Sequence, residues 1–406
     1  MTSEAAFSKA SVTEPRQRTT TADRVVICAF AATAGLATNI FLPSLPAIAA
    51  ELRVSSGAAT SAITVFLAIF AVGQLIVGPV SDRVGRQMPI LIGLCIFVIG
   101  TMWCAFAGDL RSLLIGRAVQ ASGACAIAVL SRAIARDLFD GQALAKVMAS
   151  ITIATAAAPG FSPLVGSALD RFVGWRFEFG LVAVFVVCAG TAYVMFVGET
   201  KSAAGNSLNP RDVAASYLGL IRDARFAVFA RTSSLLMAGV FAVFSGAPRA
   251  LLERMGLSPI TVGLLFAGVV FLVFGAGVLA PRLSARFGSY RAMLVGLGTA
   301  TAGGVALLVV MLLDNGALLP FLAATSVYLF GVGIANPLSS AAALSPFAHK
   351  AGVAAALFGF SQMAGAACGA LLAAKLSSDA AIGLGTVLAL TSVVALVLHW
   401  RQGRPK

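Results

Sequence analysis

Gly78-Pro-Val-Ser-Asp-Arg-Val-Gly-Arg86 interrupts two long apolar runs with one carboxylate, two arginines and two glycines. Charge this close to hydrocarbon is costly, so a chain built mostly of such runs keeps it for a reason. Gly78 and Gly85 permit close helix approach and a reversal of chain direction. Asp82 is placed to accept from the exposed N–H groups of a neighbouring helix start, where the helix dipole favours an anion. The stretch reads as a tight turn at a membrane face.

Composition agrees. Hydrophobic residues fill 59% of the 406 positions, and Asp, Glu, Lys and Arg only 11%, against ~25% charged residues in soluble domains. An ordinary soluble enzyme is excluded. Apolar runs of about 20 residues, enough to cross ~30 Å of hydrocarbon, occupy 25–47, 60–80, 88–107, 112–133, 144–168, 177–198, 226–250, 260–281, 291–313, 317–341, 351–374 and 379–399. Lipid offers no hydrogen-bond partners, so each run must be a helix or part of a closed barrel; runs this long and apolar read as helices. The expected fold is all-α and integral to the membrane, with twelve spans in two pseudo-symmetric six-helix bundles.

The net charge of +13 has no basic domain to carry it, so no nucleic-acid partner is expected. One set of breaks, with both tails, holds most of the cations, among them Arg83, Arg86, Arg132, Arg136, Lys146, Arg282, Arg286 and Arg291. The alternate set holds only Arg53, Arg111, Arg171, Arg176, Arg249, Arg254 and Lys375. The positive-inside rule therefore puts both termini in the cytoplasm and requires an even number of spans. Cys28, Cys95, Cys104, Cys125, Cys188 and Cys368 all fall inside runs, at spacings that match no zinc or CxxC site. His349 and His399 stand at helix ends, so no metal is expected. No His/Ser/Asp constellation converges within the spans, and an enzyme is not expected.

The polar stretch 199–225 divides the runs six and six. The expected organisation is a cytoplasmic tail over 1–24, a six-helix bundle over 25–198, a cytoplasmic linker over 199–225, a second bundle over 226–400 and a short tail over 401–406. A repeat supports the division: Asp82-Arg-Val-Gly-Arg-Gln-Met-Pro-Ile-Leu-Ile-Gly-Leu94 aligns with Ala285-Arg-Phe-Gly-Ser-Tyr-Arg-Ala-Met-Leu-Val-Gly-Leu297, about 203 residues later. Parallel halves of this kind enclose one central cavity, opened to either side by rocking. The second copy has lost the carboxylate (Ala285) and the second arginine (Ser289).

Together, the Gly78–Arg86 turn, Arg117 with Gln120 and Gly123, and the proline-glycine run Ala156-Ala-Ala-Pro-Gly-Phe-Ser-Pro-Leu-Val-Gly166 resemble the signatures of major facilitator drug exporters. Leu42-Pro-Ser-Leu-Pro-Ala-Ile48, Arg132-Ala-Ile-Ala-Arg-Asp-Leu-Phe139, Gly174-Trp-Arg176, Phe244-Ser-Gly-Ala-Pro248 and Gln362 resemble the bicyclomycin/chloramphenicol-resistance (Bcr/CflA) branch. The resemblance implies a bacterial inner-membrane multidrug or antibiotic exporter, monomeric, working by alternating access and proton antiport, with the proton gradient in place of any cofactor. Its partners would be the bilayer and a small amphipathic drug or metabolite. The alternative on the same fold is a facilitator, symporter or exporter for one specific solute, such as a siderophore or nucleoside.

The resemblance also assigns residues. Asp82 and Arg83 would latch the halves at the cytoplasmic face, with Arg136 as a partner, and Gly78, Gly85 and Arg86 of the same turn are gating candidates with them. Pro159 and Pro163 each remove a helix hydrogen bond and bend the axis, while Gly160 and Gly166 let another helix approach; all four are gating candidates. Arg117 lies inside the fourth run, where insertion costs ~2.5–3.5 kcal/mol. It shares a polar-and-small face with Gly116, Gln120 and Gly123, suited to a cavity or a neighbouring helix, or else it snorkels to the outer interface. Asn39 stands where the resembling exporters commonly carry an acid; an amide cannot titrate but can hold a substrate. Proton coupling would then fall to Asp82, Asp137, Glu178 or Glu253. Asn336 and Gln362 complete the substrate candidates, with Phe241, Phe244, Phe266, Phe358 and Phe360 as apolar wall.

Overall fold

A computed structural model of the chain describes residues 20–139, 141–200, 210–313, 318–376 and 379–402. Its long helices are α1 (Thr21–Asn39), α2 (Ser56–Val84), α3 (Gln87–Ala105), α4 (Leu110–Leu138), α5 (Gly141–Val173), α6 (Arg176–Ala192), α7 (Ala224–Arg249), α8 (Pro259–Phe287), α9 (Ser289–Leu312), α10 (Leu318–Leu344), α11 (Ala351–Lys375) and α12 (Ala380–Arg401). They correspond one to one with the twelve apolar runs. Eleven are long and apolar enough to cross a membrane. The twelfth, α5, runs for 33 residues, and part of its side chains lies outside the described residues.

Several helices outrun their apolar cores, because polar residues at an inner end can stay helical in water. The first run does the opposite. α1 stops at Asn39, the chain turns through Phe41–Ser44, and a short helix, Leu45–Glu51, follows with Pro46 in its first turn. Pro43 and Pro46 lack the N–H groups that would continue α1. The linker also differs from expectation: Pro210–Arg222 is an amphipathic helix. Its Leu220 joins Phe226, Ala343, Phe347, Leu357 and Phe358 in an apolar cluster under α7, α10 and α11, and its Tyr217 hydroxyl donates to the Leu75 carbonyl of α2 at 3.2 Å.

The two sets of six helices pack alike. In the first, α1 touches α4, α5 and α6, α4 touches α2 and α3, and α3 touches α6. The same pairings recur with every number raised by six. Across the halves, α2 packs on α11 and α5 on α8, which are each other's images under that exchange.

Local devices repeat at the 203-residue spacing of the sequence. Ser55 and Ser258 cap α2 and α8, accepting from Ala58 N at 3.1 Å and Thr261 N at 3.2 Å. Gly85 and Gly288 reverse the chain after those helices at φ of 90° and 82°, a region that disfavours other residues. Gly93 and Gly100 of α3, and Gly296 and Gly303 of α9, lie directly on the backbone of α4 and α10, where a methyl group would overlap main-chain or first side-chain atoms. Gly166 and Gly369 press on carbonyls of α1 (Ile40) and α7 (Ala238). Without a hydrophobic drive between helices in lipid, such close approach supplies the packing energy.

One device is duplicated with its charges exchanged. At the outer end of the first half, Glu51 pairs with Arg176, which also donates to the Ala107 carbonyl at 2.9 Å; Trp175 Nε1 donates to the same Glu51 carboxylate at 2.6 Å. At the equivalent positions of the second half, Arg254 pairs with Asp379 at 2.8 Å. The acid and the base have changed places while the clasp persists.

Two predictions follow from this packing. Gly100→Ala and Gly303→Ala, whose new methyl groups meet backbone, are expected to reduce folded protein in the membrane. Gly78→Ala, with nothing within 4 Å of the added carbon, leaves it unchanged; size-exclusion profiles in detergent compare the three. The Trp175 indole, and after it Arg176, hold the Glu51 carboxyl below its ordinary range. Stabilisation by a depressed acid is complete above its unfolded value, ~4.3, and is lost as pH falls through the folded one. Thermal melting should therefore show an acid-side loss of stability that Glu51→Gln diminishes.

Candidate functional site

The polar groups of the first half converge on Arg117, about two turns into α4. It is fully buried. Its Nη1 donates to the Ala37 carbonyl of α1 at 2.9 Å and to Gln120 Oε1 at 2.5 Å, and its Nε to the Ala62 carbonyl of α2 at 3.4 Å. The guanidinium lies between the rings of Phe41 and Phe66, 4.5 and 4.3 Å from their centroids. Gln120 Nε2 in turn donates to Thr101 Oγ1 of α3 at 2.9 Å. The snorkelling alternative is thereby excluded: one cation ties four helices together, and aromatic faces and carbonyls replace its water. Gly116 and Gly123, on the same side of α4, pack on α3, so they serve this junction and line no open space.

Asn39 is also buried. Its Nδ2 donates to the Gly35 carbonyl at 2.7 Å, within its own helix, and its Oδ1 has no partner. Arg117 Nη2 is likewise buried and unpartnered. These two atoms are the unspent acceptor and donor of the first half's candidate residues.

In the second half, Asn336 of α10 and Gln362 of α11 come together around a residue the sequence reading missed, Ser233 of α7. The Ser233 hydroxyl donates to Asn336 Oδ1 at 2.6 Å, and Gln362 Nε2 donates to Ser233 Oγ at 2.8 Å and to Asn336 Oδ1 at 3.3 Å. Both amides are half-buried. A serine on an apolar helix is too common to have drawn notice; only its position opposite two amides marks it. Of the aromatic candidates, Phe241, Phe244 and Phe266 form one chain of rings, 5.7 and 5.9 Å apart. Phe358 and Phe360 belong instead to the inner apolar cluster around Phe226 and Phe347, and line no site with the other three.

At the cytoplasmic turn the expected Asp82–Arg136 pair falls outside what is described. The side chain of Asp82 lies outside the described residues. Arg136 and Arg83 are exposed, and the ion pair of this corner is Arg86 Nε to Asp137 Oδ2, 2.8 Å, with Arg86 Nη1 on Ser81 Oγ at 2.7 Å. Glu199 takes the position expected for an anion at a helix start: its two oxygens accept from the backbone N–H groups of Arg86 and Gln87 at 2.9 and 3.0 Å, at the first turn of α3. Of the two neighbours it is Asp137, and not Arg136, that meets Arg86. Gly78 makes no close helix contact, whereas Gly85 does reverse the chain.

The proline-glycine run forms one continuous helix, α5, through Pro159, Gly160 and Pro163; the side chains at 159 and 160 lie outside the described residues. Pro163 and Gly166 are buried at a three-way junction. The Pro163 carbonyl faces Gly263 of α8, in the other half, and Gly166 meets the end of α1. From this geometry, Gln120→Ala strips a buried partner from Arg117, at a cost of about 1–3 kcal/mol. It is expected to lower the melting temperature in detergent by several degrees, whereas Ser122→Ala, exposed on the same helix, leaves it unchanged.

Residues 27–370 match the Major Facilitator Superfamily. The chain is 28% identical over 382 residues to multidrug resistance protein D of Escherichia coli, covering 91% of this chain and 94% of that one. It is 29% identical over 328 residues to the chloramphenicol resistance protein of Pseudomonas aeruginosa, covering 80% and 77%. The crystal structure of the human organic anion transporter MFSD10 (TETRAN) superposes with a TM-score of 0.68 at 18% identity, over 93% of this chain and 99% of that one, which shows the shared fold. Twelve helices in two equivalent sets, joined by two mutually related seams, are the architecture of that superfamily, and this chain belongs to it.

Proposed function

We propose that the chain exports small amphipathic drugs or metabolites across the bacterial inner membrane, both termini cytoplasmic, by alternating access driven by the proton gradient. The observation that carries the reading is the Ser233–Asn336–Gln362 cluster. It joins three helices of one half through half-buried amides, and Phe241 and Phe244, linked ring to ring with Phe266, lie about two and three turns further along α7. Few polar groups within an apolar wall suit ligands that are mostly hydrocarbon. Two relatives named for drug resistance support the same reading, as do the motifs at Leu42–Ile48, Arg132–Phe139 and Gly174–Arg176 that resemble the bicyclomycin/chloramphenicol exporters.

In this reading the protein works as a monomer. Pro163 and Gly166, at the junction of α1, α5 and α8, are where rocking of the halves is felt, and the Arg86–Asp137–Glu199 corner holds the inner ends of the first half together as it moves. A second reading, a facilitator for one solute, is favoured by Asn39, which cannot carry a proton.

Expression in an exporter-depleted bacterium, challenged with a panel that includes chloramphenicol and ethidium, separates the two. Resistance to several compounds that collapses with an uncoupler is expected; export that persists with the uncoupler selects the facilitator. Asn336→Ala and Gln362→Ala each remove a hydrogen bond worth ~0.5–1.5 kcal/mol, roughly 2–10-fold in apparent affinity. Each should reorder resistance across the panel at unchanged membrane levels.

A further inference from the structure

Glu178, one of the four acids to which proton coupling could fall, takes no part in the sites described above. It stands in the first turn of α6, fully buried, and Ser44, in the turn between α1 and the short helix, donates its hydroxyl to Glu178 Oε1 at 2.5 Å. The other oxygen, Oε2, is buried and has no hydrogen-bond partner. The charged groups around it are otherwise engaged. Arg176 is held by Glu51 and the Ala107 carbonyl, and Arg117 of α4 by carbonyls and Gln120. α3 contributes the buried Cys104 thiol, directed at the Leu113 carbonyl. From α5 come Asp170 and Arg171, and the Asp170 carboxyl interacts with the same Ser44 hydroxyl. Among the described residues no cation pairs with Glu178. A bare, buried carboxylate is far more costly than one that is paired or neutralised, so a site built this way calls for a bound cation or proton.

Asp170 is half-buried and lines, with Ser167, Arg171, Ser258 and Ile260, a cleft of about 300 Å³ between the outer ends of α5 and α8. That seam joins the two halves, so the cleft widens whenever their outer ends part. The repeat supplies a further argument. The outer clasp is duplicated with reversed charges, yet 203 residues after Ser44, Asp170 and Glu178 stand Ala247, Ala373 and Ala381. Packing of the fold therefore asks for small apolar residues at these places, and the first half has put two acids and a hydroxyl there.

We propose that Glu178 is a proton-binding site, loaded from outer-facing water by way of Asp170 and Ser44 when α5 and α8 part, and closed over its proton when they meet. The proton comes from water in the cleft and is given up toward the cytoplasmic face as substrate binds from that side, so each cycle carries it inward; no bond other than O–H forms or breaks. For its use in transport the proposal rests on the exporter reading above, and it names a carboxylate for the coupling that Asn39 cannot perform.

Infrared difference spectra of the full chain in lipid vesicles, stepped in pH, test the site without any substrate. The carbonyl stretch of a protonated carboxyl should appear and disappear with pH in the wild type and be missing from Glu178→Gln, an isostere of the neutral acid. Ser44→Ala, which removes the hydroxyl alone, should shift the band and serves if Glu178→Gln fails to reach the membrane. A band unaltered by these changes, or no titrating band at all, overturns the site. In cells, Glu178→Gln should lose at least tenfold of the uncoupler-sensitive chloramphenicol efflux, and a variant that keeps it at the wild-type level overturns the coupling role. Wild-type efflux that ignores the uncoupler while the Glu178 band titrates overturns the antiport reading instead and leaves the proton site in place.

Discussion

Backbone-to-backbone contact between α3 and α4 is the constraint on which the first half depends. Gly93 and Gly100 on one helix and Gly116 and Gly123 on the other leave no room for even a methyl group. The approach brings Thr101 within 2.9 Å of Gln120, and Gln120 within 2.5 Å of Arg117. Arg117 then reaches the carbonyls of α1 and α2 with its charge sheltered by two phenylalanines. Glycine at the seam and a buried cation at the hub are thus one device. In lipid, where apolar side chains gain nothing by leaving one helix for another, close backbone contact and buried hydrogen bonds are what remain to hold helices together. The second half keeps the seam through Gly296, Gly303 and Gly331 but has no charge at its hub: Tyr328 lies there, its hydroxyl against Gly239.

The helices were legible in the sequence because the hydrocarbon thickness fixes both length and composition, and the repeat was legible because Gly85 and Gly288 must adopt a conformation that few residues tolerate. The end of α1 was not, since Asn39-Ile-Phe-Leu is as apolar as the helix before it and only Pro43 and Pro46 signal the break. The helix Pro210–Arg222 was hidden for the opposite reason: a short amphipathic segment has too little apolar length to register as a span, and it is defined by the cluster it covers. At the sites, identity showed through where a residue was costly, as with Arg117. Partnership did not. Asp137 rather than its neighbour Arg136 meets the turn, Glu199 supplies the anion at the start of α3, and Ser233 joins the two amides. Each of these depends on register between helices far apart in the chain.

Duplication sharpens what the differences mean. Serine caps, chain-reversing glycines, helix seams and outer clasps recur at one spacing, so whatever recurs is what the architecture requires. The clasp keeps its pairing while exchanging acid for base, which shows that the outer ends need a tie and are indifferent to its polarity. Against that background, the departures stand out. Arg117, the Arg86–Asp137–Glu199 corner and Glu178 belong to the first half, while the Ser233–Asn336–Gln362 cluster belongs to the second. The buried charges Arg117 and Glu178 lie in one bundle and the three-helix serine–amide cluster in the other, so the two copies have diverged at their polar cores while keeping their packing.

The seams between the halves are made differently from the halves themselves. The ion pairs Arg86–Asp137, Glu51–Arg176 and Arg254–Asp379 each lie within one half, and Asp223–Arg225 closes the linker. Where the halves meet, Gln74 of α2 lies flat on Gly359 of α11, Gly263 of α8 sits against Pro163 and Ser167 of α5, and Phe161 meets Phe271 edge-on at 5.7 Å. Contacts of this type are broad and weakly directional, so one surface can slide on the other with no single strong bond to break. The Tyr217–Leu75 hydrogen bond and the apolar cluster beneath it add a tie at the inner end that a modest energy can undo, since one neutral hydrogen bond is worth only ~0.5–1.5 kcal/mol. Rigid halves with slippery seams are what rocking about a shared axis demands, and the three ion pairs Arg86–Asp137, Glu51–Arg176 and Arg254–Asp379, each inside one half, leave those seams to packing.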